Sequence, residues 1–261
     1  MTFNFARLPP ETRVGAGVRL PPELIHSAMI TVVIPTLNAE TSLAATLTSL
    51  VPGAVDGVVR QVVVVDGGSA DRTLRIAEDS GADIVHAERG RGQQMRAGAN
   101  AAKFSWLLFL HADTVLDAGW ERETAAFVER VDMGHRPAAA AAFRFALDDM
   151  GILPRVIETG VALRCALLRL PYGDQGLLIP RALYEEIGGF KPLALMEDVD
   201  IVRRLGRKRI LILRTQALTS AVRYKRDGYL RRSTRNIVCL GLYMLRAPMP
   251  LIQRLYGAGS R

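Results

Sequence analysis

Cysteine is scarce: the 261 residues hold two, Cys165 and Cys239, with no Cys-x-x-Cys pair and no ligand cluster around either. That excludes a disulfide framework and a thiolate zinc site, and it makes a reducing cytoplasm the expected compartment. No stretch has the length and purity of a membrane-spanning helix. A secretory leader is not expected either. Residues 1–28 contain Pro9, Pro10, Pro21 and Pro22, mixed charges and no apolar h-region. They read as a disordered extension, with Met29 a candidate start directly before the first strand. Internal repeats and low-complexity tracts are absent. Acidic residues are in deficit, leaving a net charge of +8. That balance favours anionic partners: nucleotides, nucleic acid or an anionic membrane surface. No nucleic-acid-binding motif accompanies the charge, so nucleic acid is set aside.

What is present is apolar residue, 49% of the chain, enough to fill the core of one large domain. Short β-branched runs over residues 30–35, 61–66 and 83–86 alternate with helical spacing over 40–50, 71–80 and roughly 93–103. The run Trp106-Leu-Leu-Phe-Leu110 reads as a strand buried on both faces. Such alternation predicts an α/β domain whose mostly parallel sheet is flanked by helices. The second half is less regular, with strands over 143–147, 177–180 and 210–213 and helices over 152–168, 181–187 and 197–205.

In parallel sheets, ligands bind beyond the carboxyl ends of the strands. Asp66 and Asp113 sit at such ends, and Asn38 and Glu40 lie just past the first strand. Each alone reads equally well as a turn or helix cap. Three successive strand ends delivering polar groups to one rim point instead to a shared site. Asp66-Gly-Gly-Ser69 could form an anion-binding loop. A dinucleotide cradle is not supported: the first strand runs into Pro35-Thr-Leu-Asn38 without glycine, and Gly90-Arg-Gly92 has Met95 in the third-glycine slot.

A divalent cation bridging a diphosphate needs a hard oxygen ligand at a strand end. Asp113 could supply it, with His111 a neighbouring ligand or a ribose contact. The plainer alternative makes His111 a packed polar residue and Asp113 a turn cap. Arg89, Arg91 and Arg96 flank the Gly-containing loop before this strand. Their planar guanidinium groups suit phosphate, though a solvated basic loop reads equally well. Asp198 opens a helix with apolar positions Val199, Val202 and Leu205, and a carboxylate at a helix start is favoured in its charged form. It could accept a proton from an attacking hydroxyl. Alternatively, Glu197, Asp198 and Asp200 only complement the helix dipole and pair with Arg203 and Arg204. Residues 173–176, by themselves, are a turn.

Four ordered stretches, TVVIPTLNAE, VVVVDGGSADRT, LFLHADT and GGF…MEDVDIVRRL, resemble the motifs of family 2 glycosyltransferases with the GT-A fold. The resemblance covers roughly residues 30–215. It is nearest to the short soluble bacterial members labelled radical-SAM/selenodomain-associated transferases, in which HAD and YGDQG also occur. It implies a single Rossmann-like GT-A domain over residues 29–222. Pro35, Thr36, Asn38 and Glu40 would surround the base of a nucleotide, and Asp66 would contact that base. The Asp-x-Asp motif that holds metal and sugar nucleotide reads His111-Ala112-Asp113, so its first carboxylate is replaced. Asp113 keeps the position most direct to a Mg²⁺ or Mn²⁺ ion. Asp198 of the Glu197-Asp198 pair would be the catalytic base. Gly173, Asp174 and Gln175 would lie near donor sugar or acceptor.

These readings imply inverting transfer of a sugar from a nucleotide diphosphate sugar to an acceptor hydroxyl, with a divalent ion stabilising the departing diphosphate. Two alternatives remain. A sugar-phosphate nucleotidyltransferase would want a Gly-rich basic signature after the first strand, which PTLNAE lacks. A non-catalytic nucleotide-sugar-binding protein would not need both Asp113 and Asp198. Residues 223–261 form a basic, then apolar, C-terminal helical segment. Arg223, Lys225, Arg226, Arg231, Arg232 and Arg235 are opposed there only by Asp227, and the apolar stretch 237–245 follows. It packs on the domain as an ordinary helix with a solvated edge, or it lies on anionic lipid or over the diphosphate. The expected location is therefore cytoplasmic, with this segment available for membrane association.

Overall fold

A computed structural model describes residues 4–5, 29–193 and 195–257. Most of the expected extension over 1–28 lies outside the described residues. Of it, Asn4 and Phe5 are described; Phe5 is buried and its N–H donates to the Ser80 carbonyl at 2.8 Å.

The first half alternates as expected. Strands β1 (Ile30–Thr36), β2 (Val59–Asp66), β3 (Asp83–His86) and β4 (Trp106–Phe109) all pair in parallel. Helices α1 (Leu43–Ser49), α2 (Val51–Val55), α3 (Thr73–Asp79) and α4 (Arg91–Ala101) connect them. The helix expected over 40–50 is shorter, and Pro52, tolerated in a first turn, lies near the start of α2. Then follow β5 (Thr114–Leu116), α5 (Trp120–Asp132), β6 (Ala140–Asp148), α6 (Ile152–Leu168), β7 (Leu177–Pro180), α7 (Arg181–Glu186), α8 (Glu197–Leu205) and β8 (Ile210–Ser220). Helices α9 (Val222–Asp227), α10 (Tyr229–Met244) and α11 (Met249–Gly257) end the described chain.

The eight strands form one sheet in the order β3-β2-β1-β4-β7-β6-β8-β5. β7 runs antiparallel to β4 and β6, and β5 antiparallel to β8. Alternation of side chains divides the core into two layers. Val32, Ile34, Val64 and Leu108 face Leu43, Leu47 and Phe127 on one side of the sheet. Val33, Val63, Leu107 and Phe109 face Met95, Tyr184 and Phe190 on the other. Phe109 meets Phe190 edge-to-face at 4.8 Å. Each fully buried side chain of this kind stabilises the fold by about 1.5–3 kcal/mol. Helix α4 lies close on the sheet because Gly98 faces it: a Cβ there would stand 2.2 Å from Val33 Cγ1. That approach brings Arg91, the first residue of α4, to the carboxyl-end rim.

Candidate active site

The rim is built by two loops laced together. Asn38, after β1, has a left-handed backbone (φ 51°), which asparagine tolerates better than most residues. Its N–H donates to Ser69 Oγ at 2.9 Å, and its Oδ1 accepts from Ala70 N–H at 2.9 Å. Glu40 N–H donates to Asp71 Oδ2 at 3.0 Å, while Glu40 Oε2 accepts from Arg72. Asp66 Oδ2 accepts from Gly68 and Ser69 N–H, both at 2.9 Å, and its Oδ1 accepts from the Ser69 and Thr36 hydroxyls. Burial would push the Asp66 carboxyl up, but hydrogen bonds from Ser69, Gly68 and Thr36 outweigh it and hold the group below its ordinary range. Gln94, on α4, donates from Nε2 to the Thr36 and Val65 carbonyls, both at 2.8 Å, and ties the two strand ends together.

Two cavities meet beyond this rim. The outer groove, about 430 Å³, is lined by Pro35, Thr36, Asn38, Arg89, Arg91 and Ala112, among others. The inner cavity, about 120 Å³, is lined by Asp174, Glu197 and Asp198 from the sheet side. His111, Asp113, Arg91, Ser220 and Arg223 line both, so the His-x-Asp stretch stands at their junction. Asp66 and Glu40 line neither; their hydrogen bonds shape the loops that do. Gln175 is also scaffold. It is buried, and it donates from Nε2 to the Phe143 carbonyl at 2.9 Å while its Oε1 accepts from Arg164 at 3.2 Å. Arg96 is exposed on α4 and lines neither cavity.

Helix α8 delivers the two acids. Met196, just before it, is left-handed (φ 63°), an unfavourable backbone for a non-glycine residue and one that concentrates at functional sites. Asp198 Oδ2 accepts from Gly173 N–H at 2.8 Å, and Oδ1 from Val199 N–H at 2.7 Å. Gly173 packs against His111. A Cβ on Gly173 would lie 2.7 Å from His111 Nε2 and 3.4 Å from Asp198 Oδ2. The missing Cβ therefore leaves space at the imidazole nitrogen, beside the carboxylate.

Four carboxyl groups converge here, and the electrostatics register it. Burial and then Asp198 push Glu197 up to about 7. Burial, with Asp198 and Asp113, pushes Asp174 up to about 6 against the opposing Arg164. Burial and then the Arg91 guanidinium pull His111 down to about 4, so the ring is neutral near pH 7. Burial opposes the charge on Arg91, yet Glu197, Asp198 and Asp113 around it hold its pKa above the ordinary value. Asp174 Oδ1 is buried without a hydrogen-bond partner. Such a cluster suits a cation. Among the described residues, no three His, Cys, Asp or Glu side chains gather as a metal-holding group. The residues present still fit an ion of the Mg²⁺ type, which takes one or two protein ligands and completes its shell from phosphate oxygens and water. Asp113 at the junction would be such a carboxylate ligand, with the neutral His111 beside it.

The sequence offered the basic tail as a cover for the diphosphate but did not aim its individual side chains at the inner cavity. Tyr224 on α9, Arg232 and Asn236 on α10, and Tyr256 on α11 close the inner cavity, joined by Thr219 of β8. Tyr172, another wall, stacks under Arg164 at 3.4 Å, and burial pushes its hydroxyl up to about 12. The only available signal was the density of arginine after residue 222. Helical spacing alone did not aim those side chains at acids that precede them in sequence and come close in space only because β8 leads the chain back.

Comparison with known proteins agrees with this architecture. Residues 31–144 match the model of Glycosyl transferase family 2. The resemblance drawn from the motifs is borne out over that segment. A PGL/p-HBAD biosynthesis glycosyltransferase of Mycobacterium bovis is 33% identical over 123 residues, 42% of this chain and 44% of that protein. The aligned part thus spans less than half the length of the curated relative. The crystal structure of glucosyl-3-phosphoglycerate synthase from Mycobacterium tuberculosis, with Mn²⁺, UDP and glucosyl-3-phosphoglycerate, superposes with a TM-score of 0.60 at 23% identity, covering 92% of this chain and 89% of that one. TarS 1-349 of S. aureus superposes with a TM-score of 0.55 at 18% identity, covering 87% and 69%. The fold is GT-A.

Proposed function

We propose that this chain is a family 2 glycosyltransferase that moves a sugar from a nucleotide diphosphate sugar to an acceptor hydroxyl in one inverting displacement. The observation that carries the reading is the pair of joined cavities, with His111 and Asp113 at the junction and Asp198 in the inner one. The outer groove suits the nucleotide, and Arg89, Arg91 and Arg223 along it suit a diphosphate. The solved neighbour that holds UDP with Mn²⁺ supports a uridine nucleotide as the first donor to test. Asp113 and His111 would hold a divalent ion there, which when bound would stabilise the negative charge of the leaving diphosphate.

The acceptor hydroxyl enters the inner cavity. Two backbone N–H groups fix the Asp198 carboxylate, and it takes the hydroxyl proton as oxygen attacks the anomeric carbon. Holding both reactants across one junction converts an encounter in water into a positioned reaction. The roof residues Tyr224 and Tyr256 exclude water, which would otherwise hydrolyse the donor.

The test has two arms. Calorimetric titration with UDP should show binding that Mn²⁺ or Mg²⁺ strengthens. Proton NMR of the product from an α-linked donor should show a β-glycoside. A product that retains the donor configuration would contradict the displacement, and absence of nucleotide binding would remove the donor assignment.

A further inference from the structure

Helix α6 is mostly apolar, with Arg155, Glu158, Thr159 and Arg164 as its polar residues. Its inner face, with Pro154, Ile157, Val161 and Cys165, packs inward, partly under β6. Its outer face, with Ile152, Val156, Leu163 and Leu167, stands in solvent, Ile152 being 82% exposed. An exposed apolar stripe on a helix whose opposite face is already packed is suited to a further apolar contact. Helix α10 packs beside α6 and repeats the pattern. It turns Arg232 and Asn236 to the inner cavity while Leu230 and Ile237 are exposed, Leu230 by 75%. Leu251 and Leu255 of α11 are exposed as well, though Ile252 is buried. Of the exposed large apolar side chains among the described residues, only Val55, Met133 and Val222 lie off these helices and the turns flanking them. Soluble surfaces scatter such residues singly; a concentration on adjoining helices marks an interaction face.

The charge falls on the same segments. Residues 150–169 and 222–257 carry eleven Lys or Arg against two acids, Glu158 and Asp227. That surplus of nine exceeds the net +8 of the whole chain. Arg155, Arg169, Arg231, Arg246 and Arg254 are exposed among the apolar residues. A second copy would set these five exposed arginines against an equal five, so like-charge repulsion opposes self-association through this face. An anionic surface matches it. No described helix is long and apolar enough to cross a membrane, which leaves a surface-lying mode. Leu and Ile inserting at the headgroup boundary while Arg meets lipid phosphate is the two-part attraction by which amphipathic helices bind anionic bilayers.

We propose that the outer face of α6, α10 and α11 docks the protein on an anionic lipid bilayer. Because α10 and α11 also roof the inner cavity, docking would hold that cavity beside the lipid surface. The inference stands on exposure and charge, and holds whether or not the transfer reading does.

The experiment is sedimentation of the full chain with vesicles of phosphatidylcholine alone or of phosphatidylcholine mixed with phosphatidylglycerol. The chain should sediment with the mixed vesicles and not with phosphatidylcholine alone. Salt near 1 M, where the Debye length is about 3 Å, should release most of it. Arg231→Ala with Arg246→Ala should weaken binding roughly 10- to 30-fold. Ile152→Ser with Ile237→Ser should weaken it by a similar factor, and both pairs should keep the melting temperature because the side chains are exposed. If one pair proves insoluble, Leu163→Ser with Leu167→Ser tests the same face. Equal binding to both vesicle types, or binding to neither, would overturn the proposal. So would a dimer in sedimentation equilibrium that Ile237→Ser dissolves, since the face would then belong to a second copy.

Discussion

Replacing Gly173 by alanine perturbs the junction without removing an ionisable group. Gly173 does not hold a positive φ, so the backbone accepts alanine. The added Cβ would stand 2.7 Å from His111 Nε2 and 3.1 Å from Cε1. Carbon and nitrogen at rest need about 3.5 Å, so the imidazole or the 173–175 turn must move by roughly 0.8 Å. Neither is a flexible chain end: His111 is buried, and Gly173 N–H is tied to Asp198 at 2.8 Å. Overpacking of this kind costs about 1–3 kcal/mol, or a melting shift of about 2–10 °C at this chain length. The larger effect falls on reaction geometry, where a misplacement near 1 Å can cost about 10²-fold in rate. Melting curves, initial rates of nucleoside diphosphate release and a nucleotide titration separate these effects. Gly173→Ala should lose roughly 10- to 100-fold in turnover while nucleotide affinity measured in EDTA stays within about a factor of two, both by the same positioning argument. Wild-type turnover with an unchanged melting temperature would refute the contact between Gly173 and His111.

Asp113→Asn should weaken nucleotide binding in the presence of Mn²⁺ by at least the roughly 10–100-fold seen on losing an outer-sphere partner. The same titration in EDTA should differ little between variant and wild type. Glu197 supplies a pH test. Burial and Asp198 raise its carboxyl from 4.5 to about 7, so folding favours its protonated form. Its contribution to stability is complete below pH 4.5 and is lost as pH rises through 7. In metal-free buffer, Glu197→Gln should therefore melt above wild type at pH 8, by an amount of order 1–3 kcal/mol, and show no such advantage at pH 4.5. A variant less stable than wild type at pH 8 would mean that the charged carboxylate is stabilised in the fold.

The parallel half of the sheet was legible because its strands are short runs, three rich in β-branched residues and followed by helical spacing and the fourth wholly apolar. The second half mixes directions. β5 is three residues long, and α5 sits between strands that periodicity alone did not pair. β8 reaches Ser220, well past the short run expected from residue 210, because its polar residues Thr215, Gln216 and Thr219 hide the alternation. The site divided in the same way. His111, Asp113 and Asp198 lie together because strand ends and a helix start are local signals. Asp66 and Glu40, expected at the ligand, are tied by hydrogen bonds into the loops that shape the groove, and Gln175 into β6; none of the three lines the two cavities. Which oxygen faces a cavity and which faces a backbone N–H is a tertiary fact. The roof was hidden for the same reason.

The measurement that bears most directly on the account is a comparison of Asp198→Asn with wild type, by donor titration and by initial rate under the same conditions. Asparagine keeps the size and an acceptor oxygen for Gly173 N–H, but it cannot take a proton. Donor affinity should stay near wild type while turnover falls roughly 10²–10⁴-fold, the scale of general-base catalysis. Turnover near wild type in a folded Asp198→Asn would remove the base from the mechanism and leave the joined cavities as a site that binds a nucleotide sugar without transferring it.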